Sequence, residues 1–122
     1  MKIINWFQIP ATNIDRAVKF YGATLNASFH EMATETEKHA FFAMDTLESE
    51  WTGGEIVQSP QLKPSADGAT IYFNASGGVD AVLDRVEKAG GKILLPKTSI
   101  GENGFIALIL DTEGNKIGLH SM

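Results

Sequence analysis

The second half of this 122-residue chain repeats the element order of its first half. Each half reads as a strand, an amphipathic helix and three further strands. Ile14-Asp15 at the start of the first helix corresponds to Val79-Asp80 in the second, at a spacing of 65 residues. Met44-Asp45-Thr46 corresponds to Leu110-Asp111-Thr112, at a spacing of 66. A duplicated unit constrains the fold strongly, because the same layer of helix on sheet must be built twice.

These repeats predict a division of the chain into two modules within one domain, residues 1–122. The first module covers residues 1–58 and the second covers residues 69–122. Residues 59–68, which are rich in Pro, Ser, Asp and Gly, form a connector. The length is sufficient for one domain with a substantial hydrophobic core.

Apolar residues at helical spacing define the two helices. In the first helix the apolar stripe consists of Ile14, Ala17, Val18, Tyr21 and Leu25. In the second it consists of Val79, Val82, Leu83 and Val86. Thr12 or Asn13 is a suitable N-cap for the first helix, and Asn26 is a suitable stop.

Alternating residues define the strands. The last two, Phe105–Leu110 and Lys116–His120, flank a turn at Asp111–Asn115. The first runs from Lys2 to Ile9 and stops at Pro10. The others are expected near residues 27–32, 39–44, 55–58, 69–74 and 92–95, with residues 96–103 as a loop. Alternation directs one face of each strand toward the helices and leaves the other face for function.

Composition excludes several classes of function. The net charge is −5 with no cluster of Lys or Arg, which argues against a nucleic-acid partner. The absence of cysteine excludes disulfides, thiolate metal sites and a cysteine nucleophile. No apolar run reaches membrane-spanning length and the N-terminus lacks the pattern of a signal peptide, so we expect a soluble, cytoplasmic protein with no membrane partner.

The element order, together with the motifs Asn13–Tyr21 and Asp111–Ile117, resembles the vicinal oxygen chelate superfamily. This group includes glyoxalase I, bleomycin-resistance proteins and extradiol dioxygenases. The first motif is similar to the family's Asp-x-x-Arg-(Ala/Ser)-x-x-Phe-Tyr pattern. The second is similar to its Asp-Pro-(Asp/Glu)-Gly-Asn turn, with Thr112 in place of proline. The resemblance implies an α+β fold in which two βαβββ modules form a cup-shaped, eight-stranded mixed sheet.

The family's metal ligands, usually His, Gln or Glu, lie on strands that face the cup. Carried over to this chain, these positions fall on Trp6, Val57, Thr70 (or Ile71) and Gly118. None of these side chains is a credible ligand for a divalent metal. We therefore expect neither a metal site nor another cofactor. The loop of residues 96–105 and the Trp at the first ligand position resemble a glyoxalase-like branch without an assigned activity.

Side chains on the open strand faces are the candidate ligand-binding residues. They are Trp6, Gln8, Glu55, Thr70, Tyr72 and His120. Trp6 and Tyr72 are suited to stacking on a flat ligand. His30 and His39 have no acidic partner at an informative spacing in the sequence, which favours structural or surface roles for both.

Two main functions remain open. The first is binding of a small-molecule ligand in the cup between the modules, in the manner of a bleomycin-resistance protein. The alternative is a lyase, isomerase or dioxygenase with a displaced metal or acid/base site around Gln8, Glu55 and His120. The sequence assigns no catalytic residue and leaves open whether the protein is an enzyme. The resemblance also implies a homodimer formed through module edges, and assembly with a different partner is a third possibility.

Overall fold

A computed structural model describes residues 3–43, 53–75 and 77–122 of the chain. The first half contains β1 (Trp6–Pro10), α1 (Ile14–Leu25), β2 (Phe29–Ala33), β3 (Lys38–Phe42) and β4 (Gly53–Gln58). The second half contains β5 (Tyr72–Asn74), α2 (Val79–Val86), β6 (Lys92–Ser99), β7 (Phe105–Leu110) and β8 (Lys116–Ser121). A short 3₁₀ turn at Gly101–Asn103 precedes β7. The described part of the chain has no helix with the length and hydropathy to span a membrane.

The strands form two four-stranded mixed sheets with the same topology. Their orders are β1-β4-β3-β2 and β5-β8-β7-β6. In each sheet the first strand runs parallel to the fourth, and the remaining neighbours are antiparallel. The predicted α+β fold of two βαβββ modules is confirmed. That the two sheets form one cup stays a prediction.

Local sequence signals account for the ends of α1. The side chain of Asn13 accepts a hydrogen bond from the backbone N–H of Arg16 at 3.1 Å, as expected of an N-cap. Asn26 adopts a left-handed conformation with φ of 57°, which ends the helix. Both predicted caps are therefore confirmed.

The two modules share one hydrophobic core. Aromatic rings join them, with centroid distances of 5.7 Å between Phe7 and Phe73, 5.6 Å between Phe42 and Phe73, and 5.9 Å between Tyr21 and Phe73. Because Phe7 belongs to β1 and Phe73 to β5, the core-facing sides of the first strands of both modules meet there. The modules are therefore held together by their helix-covered faces, not only by the connector.

The turn between β7 and β8 attaches the second module to the first. Asp111 is buried and accepts a hydrogen bond from the hydroxyl of Tyr21 at 2.6 Å. Burial and the negative charge of Asp111 raise the pKa of Tyr21 well above its ordinary value, so the phenol stays neutral and donates. Asn115 donates from its amide to the backbone carbonyl of Pro10 at 2.7 Å. The two motifs on which the resemblance rests are thus in direct contact.

Some predicted strand boundaries are wrong. β1 begins at Trp6 instead of Lys2 and includes Pro10, and β5 is shorter than predicted. Residues 96–99, expected in a loop, continue β6 as far as Ser99. This is possible because β6 is one of the two edge strands of its sheet, where a proline need not cost a ladder hydrogen bond, and because its register shifts between Leu95 and Thr98. The predicted correspondence at Met44–Thr46 lies outside the described residues.

Candidate functional site

The face of the first sheet that points away from α1 carries the candidate site. Gln8 on β1 is level with Glu55 on β4, and Glu55 is level with Phe41 on β3. Their neighbours on β1 and β4, Ile9 and Ile56, are buried in the core beneath the helix. Alternation along the strands therefore places Trp6 and Gln8 on the outward face, as predicted.

Glu55 is the centre of a hydrogen-bonded cluster on this face. Trp6 donates from Nε1 to Glu55 Oε2 at 3.0 Å, and Gln8 donates from Nε2 to the same oxygen at 3.3 Å. Nδ1 of His39 lies 2.5 Å from Glu55 Oε1. Although Glu55 is only 5% exposed, each of its oxygens has at least one partner, which offsets the cost of burying a charge. Three predicted site residues, Trp6, Gln8 and Glu55, therefore lie together.

The cluster favours an ionised Glu55 and a protonated His39. Burial by itself raises the pKa of Glu55, but the hydrogen bonds from His39, Trp6 and Gln8 outweigh it and hold the pKa below its ordinary value. The hydrogen bond to Glu55 raises the pKa of His39, and burial opposes this shift only in part. Both shifts favour the charge-separated form of the pair, an imidazolium in contact with a carboxylate.

His39, for which the sequence favoured a structural or surface role, has two acidic partners in the structure. Its second ring nitrogen, Nε2, lies 3.2 Å from Glu37 Oε1, so the imidazole is held between two carboxylates. The hydroxyl of Ser59 donates to Glu37 Oε2 at 2.8 Å and extends the chain of contacts. Strand pairing brings Glu55 to His39 across 16 residues, a contact that spacing within one strand cannot reveal. The sequence signal that could have found an acidic partner is Glu37, two residues before His39 and therefore on the same face of an extended chain.

Aromatic rings border the cluster. Trp6 is 49% exposed, and its ring centroid lies 6.1 Å from that of Phe41 at an angle of 52°. The imidazole of His39 is stacked against Phe41 at 5.9 Å and 7°. A buried carboxylate thus lies beside an open aromatic face, an arrangement suited to a flat ligand with an N–H or cationic group.

The candidate residues of the second module are arranged differently. Tyr72 is 46% exposed, and a methyl group added at Gly118 would lie only 2.3 Å from its ring. The ring therefore covers the backbone of β8, which only glycine permits at this position. His120 donates from Nε2 to the carbonyl of Asn103 at 2.6 Å. The histidine that contacts Glu55 is His39, not His120 as the alternative function supposed. Thr70, which precedes β5, is partly buried.

The strand register corrects one carried-over position. Gly118 lies opposite Tyr72 in the second sheet, and Glu55 lies opposite Gln8 in the first. The spacing of the repeat, about 65 residues, makes Gln8 and Tyr72 equivalent, so the counterpart of Gly118 is Glu55 and not Val57. The first module therefore presents a carboxylate where the sequence comparison placed an apolar residue.

The donor set does not fit the divalent metal that the family implies. Glu55 is the one carboxylate among the equivalent positions, whereas a divalent metal needs three or four protein ligands. Trp6 offers only an N–H donor and Gly118 has no side chain. Within residues 3–43, 53–75 and 77–122, no group of three His, Cys, Asp or Glu side chains is placed to hold a metal ion.

A family model agrees with the fold and its motifs. The model of the glyoxalase/bleomycin resistance protein/dioxygenase superfamily matches residues 3–119. In structure, the chain resembles a glyoxalase I mutant from Zea mays with a TM-score of 0.75 at 20% identity, covering 96% of this chain and 45% of that one. At this identity the likeness concerns the fold alone.

Two sequence relatives agree with this match. A glyoxylase-like domain-containing protein of Didymella fabae is 32% identical over 113 residues, which is 92% of this chain and 88% of that protein. The candidate glyoxylase CFP32 of Mycobacterium bovis is 26% identical over 115 residues, 94% of this chain. The chain spans only 44% of the length of CFP32. The chain belongs to the glyoxalase/bleomycin resistance protein/dioxygenase superfamily.

Proposed function

We propose that this protein binds a small molecule against the outward face of the first sheet, without the metal usual in its family. The observation that carries the proposal is the buried carboxylate of Glu55, held by three donors beside the half-exposed ring of Trp6. A carboxylate this well fixed is preorganised, so a ligand does not have to order it on binding.

The charges around Glu55 indicate the class of ligand. Among the described residues, the outward-facing positions of β1 to β4 carry the carboxylate of Glu55 and no Lys or Arg, and the histidines are the only basic side chains there. Glu37 adds a second carboxylate next to His39. The surplus of negative charge favours a flat ligand with an amidine, amine or other N–H-rich group over an anionic one.

Three probes of the same shape and different charge test this proposal. We expect benzamidine to bind more tightly than neutral benzamide, and benzoate to bind least, because only the amidinium offers N–H donors with positive charge. Titration calorimetry measures all three. Substitution of Trp6 by Ala should weaken benzamidine binding by about 1–3 kcal/mol, the scale for loss of a buried aromatic contact.

Leu94→Ala is the matched control, since Leu94 is similarly exposed at 45% but lies on β6 of the second sheet. Benzamidine affinity should be unchanged in this variant. Equal affinities for benzamidine and benzoate, or an unaltered affinity in Trp6→Ala, would contradict the proposal.

A second candidate function is acid/base catalysis by a lyase or isomerase. The contact between His39 and Glu55 supports it, because a carboxylate paired with an imidazole is a common proton-transfer unit. The displaced acid/base site would then consist of Gln8, Glu55 and His39, with His39 in the role expected of His120 from the sequence. A dioxygenase requires a bound metal, whereas the lyase, isomerase and ligand-binding functions proposed here do not. Metal analysis of the purified protein separates them, because a stoichiometric transition metal would favour the dioxygenase.

We also propose that the protein is a cytoplasmic homodimer. Its lack of cysteine fits a reducing compartment. β1 and β5 are outermost in their sheets, and each leaves one strand edge unpaired by its own sheet. Such edges favour pairing with a second copy.

A further inference from the structure

A cavity of about 820 Å³ lies on the other side of the first sheet from the Glu55 cluster. One wall comes from the first module and includes Phe7, Leu25, Ala27 and Phe42. The opposite wall is residues 69–74, which contain β5. Phe7 points to the face opposite Trp6, since the two are neighbours on one strand. The cavity is therefore separate from the site proposed above.

The shape and lining are those of a small-molecule site. Its volume falls within the range of roughly 300–1,000 Å³ typical of ligand pockets. The rings of Phe7 and Phe42 lie 5.6 Å apart along one wall and both contact Phe73. None of the described lining residues is charged. A neutral molecule with a flat apolar body fits this lining, whereas an ion would lose its hydration without gaining a partner.

The β5 wall also offers polar groups. The carbonyl of Ile71 accepts from Gly118, and the N–H of Ala75 donates to the carbonyl of His120, so these groups point toward β8. The polar groups that remain for a ligand on this wall are the side chains of Thr70 and Asn74, which both line the cavity. A ligand with one hydrogen-bonding group at its edge can pair there while its rings contact the phenylalanines.

We propose that this cavity is a second binding site, for a neutral molecule of about two fused or linked aromatic rings with a single polar edge. It is independent of the Glu55 site, because it uses the opposite face of β1 and no charged residue. Binding there contacts both modules at once, so an occupant stabilises their contact.

N-phenyl-1-naphthylamine, a neutral fluorescent molecule of this class, is a suitable probe. We expect its fluorescence to rise on saturable binding with one molecule per chain. Filling the cavity by Ala27→Phe should weaken binding by at least about tenfold. Leu94→Ala is the matched control, because Leu94 is exposed on β6 and does not line the cavity, and this variant should bind the probe within about twofold of the parent chain.

Each outcome decides the proposal, provided that thermal melting shows a folded variant. If Ala27→Phe fails to fold, Ala43→Leu, at another lining position, takes its place. No saturable binding to the parent at about 100 μM probe overturns the proposal. Unchanged binding in the filled variant overturns it as well, since the probe then binds elsewhere. If probe binding decreases as the protein concentration rises, a second copy of the chain occupies the cavity, and the proposal is overturned as well.

Discussion

Glu55 shows how much a single residue's role depends on its neighbours. In the sequence it is one acid among 15 Asp and Glu residues. In the fold it is 5% exposed and accepts hydrogen bonds from Trp6, Gln8 and His39. Burying an ionised carboxylate without partners costs free energy, so Glu55 can stay ionised only because the three donors compensate its charge. Its contact with His39 makes both residues sensitive to pH.

The stabilising effect of the His39–Glu55 contact should depend on pH. Because the pKa of His39 is raised from 6.5, its contribution is complete below pH 6.5 and is lost as pH rises through the higher folded-state pKa. Because the pKa of Glu55 is lowered from 4.5, its contribution is present above pH 4.5 and is lost as pH falls through the lower folded-state pKa. We therefore expect His39→Gln to reduce the unfolding free energy most between pH 4.5 and 6.5.

Urea unfolding at several pH values measures this effect. The control is His30→Gln, the same change at an exposed position of β2, for which we expect only a small loss of stability. A deficit of the His39 variant that grows steadily from pH 6 to pH 8 would contradict the assigned ion pair.

At the scale of elements, α1 begins against the β7–β8 turn of the other module. Glu113 accepts hydrogen bonds from the backbone N–H groups of Thr12 and Asn13, at 2.9 and 2.8 Å. It also contacts the guanidinium of Arg16 at 2.6 Å. Burial by itself raises the pKa of Glu113, but the hydrogen bonds, led by that from Arg16, hold it below its ordinary value. A carboxylate at this end of a helix also interacts favourably with the helix dipole.

Substitution of Glu113 by Ala should destabilise the protein by about 1–3 kcal/mol, because it leaves two N–H groups at the start of α1 without their acceptor. Thermal and urea unfolding measure the loss. Glu102→Ala, the same change at an exposed acid in the 3₁₀ turn, should have little effect. Equal destabilisation by the two substitutions would show that Glu113 does not hold the modules together.

At the scale of the whole molecule, the two sheets meet through their helix-covered faces and share one core. Trp6 and Tyr72, on the outermost strands β1 and β5, remain about half exposed. Large apolar side chains on open strand edges are typical of interfaces. A second copy that pairs with the edge of β5 would cover Tyr72 and leave the outward face beside Trp6 open to a ligand.

We therefore expect light scattering to give about twice the chain mass of 13.2 kDa at micromolar concentration. Tyr72→Lys should shift the protein toward the monomer, because a buried, unpaired ammonium is costly at an interface. Leu94→Lys, at an equally exposed position on β6, is the control and should leave the mass unchanged. A parent chain that is monomeric throughout the micromolar range would refute the homodimer.

The sequence by itself determined the elements and their faces. Alternation placed Trp6 and Gln8 on the outward face, and periodicity and caps located α1, because these signals depend on residues close in the chain. The tertiary structure decided which residues meet. Strand register brought His39 to Glu55 and made Glu55, not Val57, the counterpart of Gly118. The packing of the two modules formed the cavity between Phe42 and β5. Such contacts join residues distant in the chain, and their pairing depends on how sheets and modules pack, which no local pattern encodes.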